Sequence, residues 1–314
     1  MSRLAIPPDM KRQVRQRCGF GCVICGIPFF HYDHIVEFSE VHEHTADNIT
    51  LLCGTHHDQK TRGLLPRAIV ERANASPVNQ NSTSTPSHRL MTSVGEAANF
   101  VIGSNRCCTS EHTHYSPTIA INGLIVLGCA YEDGYILFDT DLYDSNGNRV
   151  LSLRRGEITV STRVMDYEQV GPNIIVRDHF CNEPILDVTF APDGLTLSRG
   201  LFMGPNGFIH VLPDLLNMNG LIVKKSESLG AGRCAFNLDQ RQLIFRSYNF
   251  VGHSMLLDGR QFESCTFVGC HILQALEAPA RLNACYFSDC TRLNLNSPPT
   301  IFYPRSQMHA SRKA

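Results

Sequence analysis

A chain of 314 residues with 43% hydrophobic and 18% charged residues has the composition of a globular protein and the length for about two domains. Its formal net charge of −1 excludes a polybasic protein that coats nucleic acid, so any such contact must be local. The longest nearly apolar run, residues 119–131 broken by Asn122, is shorter than the roughly 20 residues that cross a bilayer. Arg3, Pro7, Pro8 and Asp9 give the N-terminus no apolar export core, which sets the expectation of a reducing cytoplasmic location. In that compartment thirteen cysteines, an odd number, read as metal ligands in one cluster and small core residues elsewhere, not as a disulfide framework.

Residues 1–75 hold six of the fourteen histidines, at positions 31, 34, 42, 44, 56 and 57. Lys11, Arg12 and Arg15 form a basic helix face, although nine Lys or Arg against eight Asp or Glu (9 − 8 = +1) leave the segment nearly neutral. That face reads either as a local contact to a phosphate backbone or as an ordinary solvated surface. Two pairs follow, Cys22-Val-Ile-Cys25 and Cys53-Gly-Thr-His56. A two-residue gap lets both side chains of a pair bind one ion from a tight turn, and two pairs complete the tetrahedron of structural zinc. Cys18 competes with Cys22 for one place in that set, and the two-residue gap favours Cys22. Between the pairs, Tyr32 to Val36 alternates as a strand and Ile49 to Leu52 forms a second; residues 55–73 read as helical except near Gly63 and Pro66. The predicted unit is ββα clamped by zinc. Successive helical residues point about 100° apart, so His56 and His57 cannot easily share one ion: one faces the zinc, its neighbour the hairpin. His42 and His44 flank Glu43 between the strands and read as surface residues.

The order Cys-x-x-Cys, Asp33-His34-Ile35, Asn48-Ile49-x-Leu51-Leu52-Cys53, His56-His57, Lys60-Thr61 resembles the zinc-containing branch of the HNH endonuclease family over residues 11–72. The fourth zinc ligand, often cysteine in that family, is His56 here, still a competent ligand. The resemblance implies that His34 is the general base that takes a proton from water. It implies that Asp33 and His57 hold a catalytic divalent ion, Mg2+ or Mn2+, against the scissile phosphate. Asn48 either ties down the loop that presents His34 or reaches the metal. Lys60 reads as a phosphate contact or as a solvated helix lysine.

From Ser76 the sequence SPVNQNSTSTPS has no charge and one apolar residue, Val78, which predicts a flexible linker over 76–98. Residues 99–225 show β-branched and aromatic runs separated by Asp133-Gly134, Asn146-Gly147, Asp193-Gly194 and Asn206-Gly207, the pattern of an antiparallel β domain. Tyr135 to Tyr143 and Arg149 to Leu153 are its clearest hairpin. Over 226–303 an internal repeat sets Phe245, Tyr248, Phe250 and His253 against Phe262, Cys265, Phe267 and Cys270, then against Leu282, Cys285, Phe287 and Cys290. It resembles a short pentapeptide-type β-solenoid with inward-packed cysteines. Residues 304–314 form a tail.

The expected architecture is thus multidomain α+β: a zinc-clamped ββα HNH domain, an antiparallel β domain and a short β-solenoid. The expected function is metal-dependent hydrolysis of phosphodiester bonds in DNA, with the C-terminal β region serving assembly, targeting or regulation through a second copy or a protein partner. A nuclease joined to a large non-catalytic β body suits bacterial defence, by analogy of architecture. The competing readings are a non-catalytic zinc module that binds nucleic acid, and a sensor or structural β protein that carries a nuclease effector. The trio Asp33, His34 and His57 separates them, because a binding module needs only the zinc ligands.

Overall fold

The computed structural model describes residues 5–110, 114–179, 183–204, 207–230, 234–239, 244–247, 249–251, 254–257, 260–274, 281–294 and 300–301. Tyr248 and His253 of the repeat, and the tail at 304–314, lie outside the described residues. The chain divides into two compact units. One comprises residues 1–90, 141–190 and 197–200; the other comprises 91–140, 191–196 and 201–314. No helix among the described residues is long and apolar enough to cross a membrane.

The first unit begins with helix α1 (Pro8–Arg17), which has proline at its start, Asp9 in its first turn and Arg15 and Arg17 in its last. This arrangement suits both the missing proline donor and the helix dipole. A knuckle follows, closed by Gly26 N to Cys22 O at 2.7 Å and Cys22 N to Ile27 O at 3.1 Å. Gly26 has φ +78° there and lies against the Asn79 side chain, so a Cβ would have no room. Strand β1 (His31–His34) pairs antiparallel with β2 (Ile49–Leu52), with Asp33 opposite Thr50 and His34 opposite Ile49. Between them lie the short helix α2 (Phe38–Val41) and a 3-10 turn at Ala46–Asn48. Helix α3 (Gly54–Thr61) and helix α4 (Arg67–Ala75) are interrupted where Gly63 has φ +73° and Pro66 precedes α4. All four residues of β2 are buried, and with Val14, Phe20, Val23 and Val70 they form the core of this end of the unit.

The segment expected as a flexible linker is packed structure up to Leu90. Asn79, 1% exposed, donates its side-chain amide to Gly19 O at 3.0 Å and Gly26 O at 2.8 Å. Thr85 N donates to Val160 O at 2.8 Å, and Val78 N to Val23 O at 3.1 Å. Hydrogen bonds, not apolar burial, order this polar stretch, so its composition concealed it. The expected boundary near residue 75 also fails for a longer-range reason. Strands Asp166–Val170, Asn173–Arg177 and Pro184–Ala191 form an antiparallel meander, and its first strand packs on the N-terminal elements of the same unit. Tyr167, fully buried, donates its hydroxyl to Pro28 O at 3.1 Å.

The second unit holds the hairpins Ala97–Ile102 with Asn105–Ser110 and Tyr115–Ile121 with Leu124–Glu132. Strands Gly207–Leu212, Leu215–Met218 and Leu221–Val223 make an antiparallel meander. Not all pairing in the expected β domain and repeat region is antiparallel: Glu227–Gly230 and Phe236–Leu238 run parallel to Asn105–Ser110 and Tyr115–Ile121. The repeats pair in register and in parallel, Phe245 with Phe262 with Leu282 and Phe250 with Phe267 with Phe287. Parallel register stacks like on like, and the rings of Phe250, Phe267 and Phe287 follow at 5.0 and 4.5 Å. Cys270 and Cys290 donate their thiols to the carbonyls of Phe250 and Phe267. The third ladder, Ser254–Leu256, His271–Gln274 and Thr291–Asn294, continues into Leu124–Glu132, so the repeats belong to a multi-sheet body.

Candidate active site and zinc centre

The knuckle after α1 presents Cys22 and Cys25, and the junction of β2 with α3 presents Cys53 and His56. Their ligand atoms all lie within 4.8 Å of one another. His56 Nδ1 is 3.3 Å from Cys22 Sγ and 3.2 Å from Cys53 Sγ, and the Cys25 and Cys53 sulfurs are 3.7 Å apart. Ligands on a tetrahedral ion with bonds of about 2.0 to 2.3 Å are spaced in this way, so this donor set can hold a structural zinc. Burial, with Cys22 and Cys53 adding to it, pushes the Cys25 thiol up to about 12; a bound cation would keep that sulfur as thiolate. Cys18, fully buried, is outside the cluster, and burial raises its thiol as well.

On the same frame, β1 places His31 and Asp33 on one face by its two-residue period. Helix α3 brings His57 to that face: its Nε2 is 3.6 Å from Asp33 Oδ1, and its ring centre is 5.4 Å from that of His31. The adjacent rings of α3 therefore serve different neighbours, His56 the cysteines and His57 the strand. Lys60, one turn on, reaches Asp33 Oδ2 at 2.9 Å, Glu37 Oε1 at 2.7 Å and the backbone oxygen of His34 at 2.7 Å. Burial pulls its ammonium down, but the hydrogen bonds to Glu37 and Asp33 outweigh it, so its pKa is raised. The Lys60 hydrogen bond likewise lowers the Glu37 carboxyl against the opposing effect of burial. His34 is 3% exposed, with its Nε2 3.0 Å from His44 Nδ1 and its ring 5.5 Å from that of Phe38. A zinc-type knuckle, an Asp-His strand and a histidine helix thus follow one another within one short stretch.

Residues 16–63 match the HNH endonuclease family model. The chain has no match among curated proteins or among solved structures. The HNH segment contains all four members of the Cys/His cluster, together with Asp33, His34, Asn48, His57 and Lys60.

Within the HNH segment, Asn48 is a loop anchor by geometry. Its Oδ1 accepts from Val36 N at 2.7 Å, its Nδ2 donates to Val36 O at 2.9 Å, and its own carbonyl accepts from Ile35 N at 2.8 Å. Both ends of its amide are engaged in holding the chain just after His34. The basic face of α1, by contrast, is engaged in part within the unit. Arg15 is 2% exposed, donates Nε and Nη2 to the two carboxylate oxygens of Asp166 at 2.8 and 2.7 Å, and reaches Tyr32 Oη at 2.6 Å. Burial opposes its charge, but the hydrogen bonds and charge interactions with Asp166 and Tyr32 together outweigh that and raise its pKa. Arg12 Nε lies 3.3 Å from Asp166, and Lys11 Nζ sits 5.4 Å above the Tyr32 ring. Arg15 is thereby taken up inside the unit, whereas Arg12, its side chain 38% exposed, and Lys11 keep part of their surface open; Lys60 is engaged internally by Asp33, Glu37 and the His34 carbonyl.

Three participants were not legible in the sequence. His44, taken as a surface residue, is half-buried against His34 and Phe38. Its only signal was its place in the loop leading back to β2. Asp166 and Glu168 were missed because their partner is far away in the chain, although charges two apart on a strand fall on one face.

Proposed function

We propose that the HNH segment is a metal-dependent endonuclease that hydrolyses phosphodiester bonds in DNA. The observation that carries this reading is the approach of His57 to Asp33 beside the Cys/His cluster, with His34 next to Asp33 on the same strand, inside the family match. Asp33 Oδ1 and His57 Nε2 offer one carboxylate and one imidazole 3.6 Å apart. Cis ligands of a small divalent ion with bonds of about 2.1 Å lie about 3 Å apart, so a small turn of the half-exposed His57 ring fits them to Mg2+ or Mn2+. When bound, such an ion polarises the scissile phosphate and stabilises the departing oxygen. His34 accepts the proton of the attacking water as its oxygen bonds to phosphorus and the P–O bond opposite breaks. His44 and Phe38 hold the His34 ring, while Asn48 fixes the backbone beyond it. The Cys/His cluster, loaded with zinc, fixes the start of α3 and with it the aim of His57.

The β region supplies assembly, target choice or regulation in this proposal, in a setting of bacterial defence and in the cytoplasm. Leu221 and Ile222, 64% and 48% exposed on an outer strand, mark where a second copy or a protein partner has apolar surface to meet.

The test is incubation of the zinc-loaded protein with supercoiled plasmid, with and without Mg2+ or Mn2+. Nicking should require the added ion. His34→Ala should slow it by about 100-fold or more with zinc content unchanged. Cleavage by His34→Ala at the wild-type rate refutes this site. A plasmid mobility shift without cleavage by the wild type indicates the non-catalytic zinc module instead.

A further inference from the structure

Lys60 and His57 lie one turn apart on α3 and approach the same carboxylate from two sides. The Lys60 ammonium donates to Glu37 Oε1 and to the His34 carbonyl and forms an ion pair with Asp33 Oδ2 at 2.9 Å, and the side chain is only 8% exposed. A lysine so engaged is turned inward, onto Asp33, Glu37 and the His34 carbonyl. It also does more than tie helix to strand, because one of its partners is the oxygen next to the one that faces His57.

We propose that Lys60 is a positioning residue of the ion site: it holds Asp33 Oδ2 so that Oδ1 alone serves the ion, and its charge limits how tightly that ion binds. This inference rests on the nuclease reading of Asp33 and His57. A carboxylate with both oxygens free can grip a divalent cation by two bonds and fill two coordination places. With Oδ2 fixed to an ammonium it fills one, leaving the remaining places for phosphate oxygen and water. Charge acts in the same direction. Asp33, Glu37 and Lys60 sum to −1 − 1 + 1 = −1, and without the lysine to −2. Loss of Lys60 therefore makes the ion bind more tightly and the site work less well, a pairing of effects that neither a phosphate contact nor a plain structural tie produces.

The experiment titrates Mn2+ alone into the zinc-loaded full chain by calorimetry, for the wild type, Lys60→Met, Lys60→Arg and Glu37→Gln, then measures plasmid cleavage at saturating Mn2+. Lys60→Met should bind Mn2+ about tenfold more tightly, with kcat at least about tenfold lower and KM for plasmid unchanged. Lys60→Arg should return the Mn2+ affinity to within about threefold of the wild type. Glu37→Gln, at a half-exposed position that tolerates change, should weaken Mn2+ binding, and so it tests the charge argument even where Lys60→Met does not fold. Equal or weaker Mn2+ binding by folded Lys60→Met overturns the proposal. A rise in KM for plasmid with unaltered Mn2+ affinity also overturns it and restores Lys60 as a phosphate contact. If the wild type binds Mn2+ but does not cut, the nuclease reading fails while the affinity comparison still decides the role of Lys60. If Asp33→Asn and the wild type take up Mn2+ equally, the ion site and this proposal fall together.

Discussion

His56 and His57 are neighbours in the chain and sit in different chemistry, one against thiols and the other against a carboxylate. His56→Ala removes one of four donors, so the protein should lose stoichiometric zinc and the knuckle should open. His57→Ala should keep its zinc and its fold while losing ion-dependent cleavage. Elemental analysis of the two purified variants checks this, and equal zinc loss in both would mean that both rings serve the cluster. Removing zinc from the wild type with a strong chelator should likewise loosen the hairpin, because Val23 N bonds Leu51 O directly across from the knuckle. The loss should appear as faster amide exchange in β1 and β2.

At the scale of elements, helix α1 is bound to the strand Asp166–Val170 by a buried, multiply bonded ion pair. Asp166→Asn leaves the Arg15 guanidinium buried beside a neutral amide, and breaking such a pair costs about 3 to 5 kcal/mol. Denaturant unfolding should show that loss; a change below about 1 kcal/mol would mean that water reaches Arg15. In the second unit, Phe267→Ala removes the middle ring of the Phe250–Phe267–Phe287 stack and should destabilise the repeats by about 3 to 5 kcal/mol without altering zinc content. The elements that were legible in the sequence were those whose causes are local. Paired cysteines, the break at Gly63 and Pro66, the turn at Asn146-Gly147 and the in-phase phenylalanines each state their geometry within a few residues. Asn79 and Asp166 were not legible in that way, because each is ordered by a partner more than 50 residues away in the chain. A polar stretch that serves carbonyls of a distant knuckle has the same composition as one that serves water.

For the whole molecule, the first unit is discontinuous: residues 1–90 are completed by 141–190. A fragment of residues 1–75 lacks both Asn79 and Asp166, so it should melt well below the full chain even when loaded with zinc. A calorimetric scan of fragment and full chain, both zinc-loaded, decides it, and equal melting temperatures would show that the returning strands add nothing to the N-terminal elements. The same discontinuity sets an order of events at the ribosome. Arg15 is synthesised 151 residues before Asp166. At about 5 to 20 residues per second, its guanidinium stays in water for roughly 8 to 30 s before the carboxylate exists. The knuckle and hairpin, whose partners are near in the chain, can close during that wait, whereas the docking of α1 is a late event. Stalled nascent chains ending near residue 150 should therefore be cut by protease within α1, and chains long enough to expose residue 177 outside the exit tunnel should resist. An N-terminal head that matures only after the strand at Asp166–Val170 emerges has its assembly timed by translation.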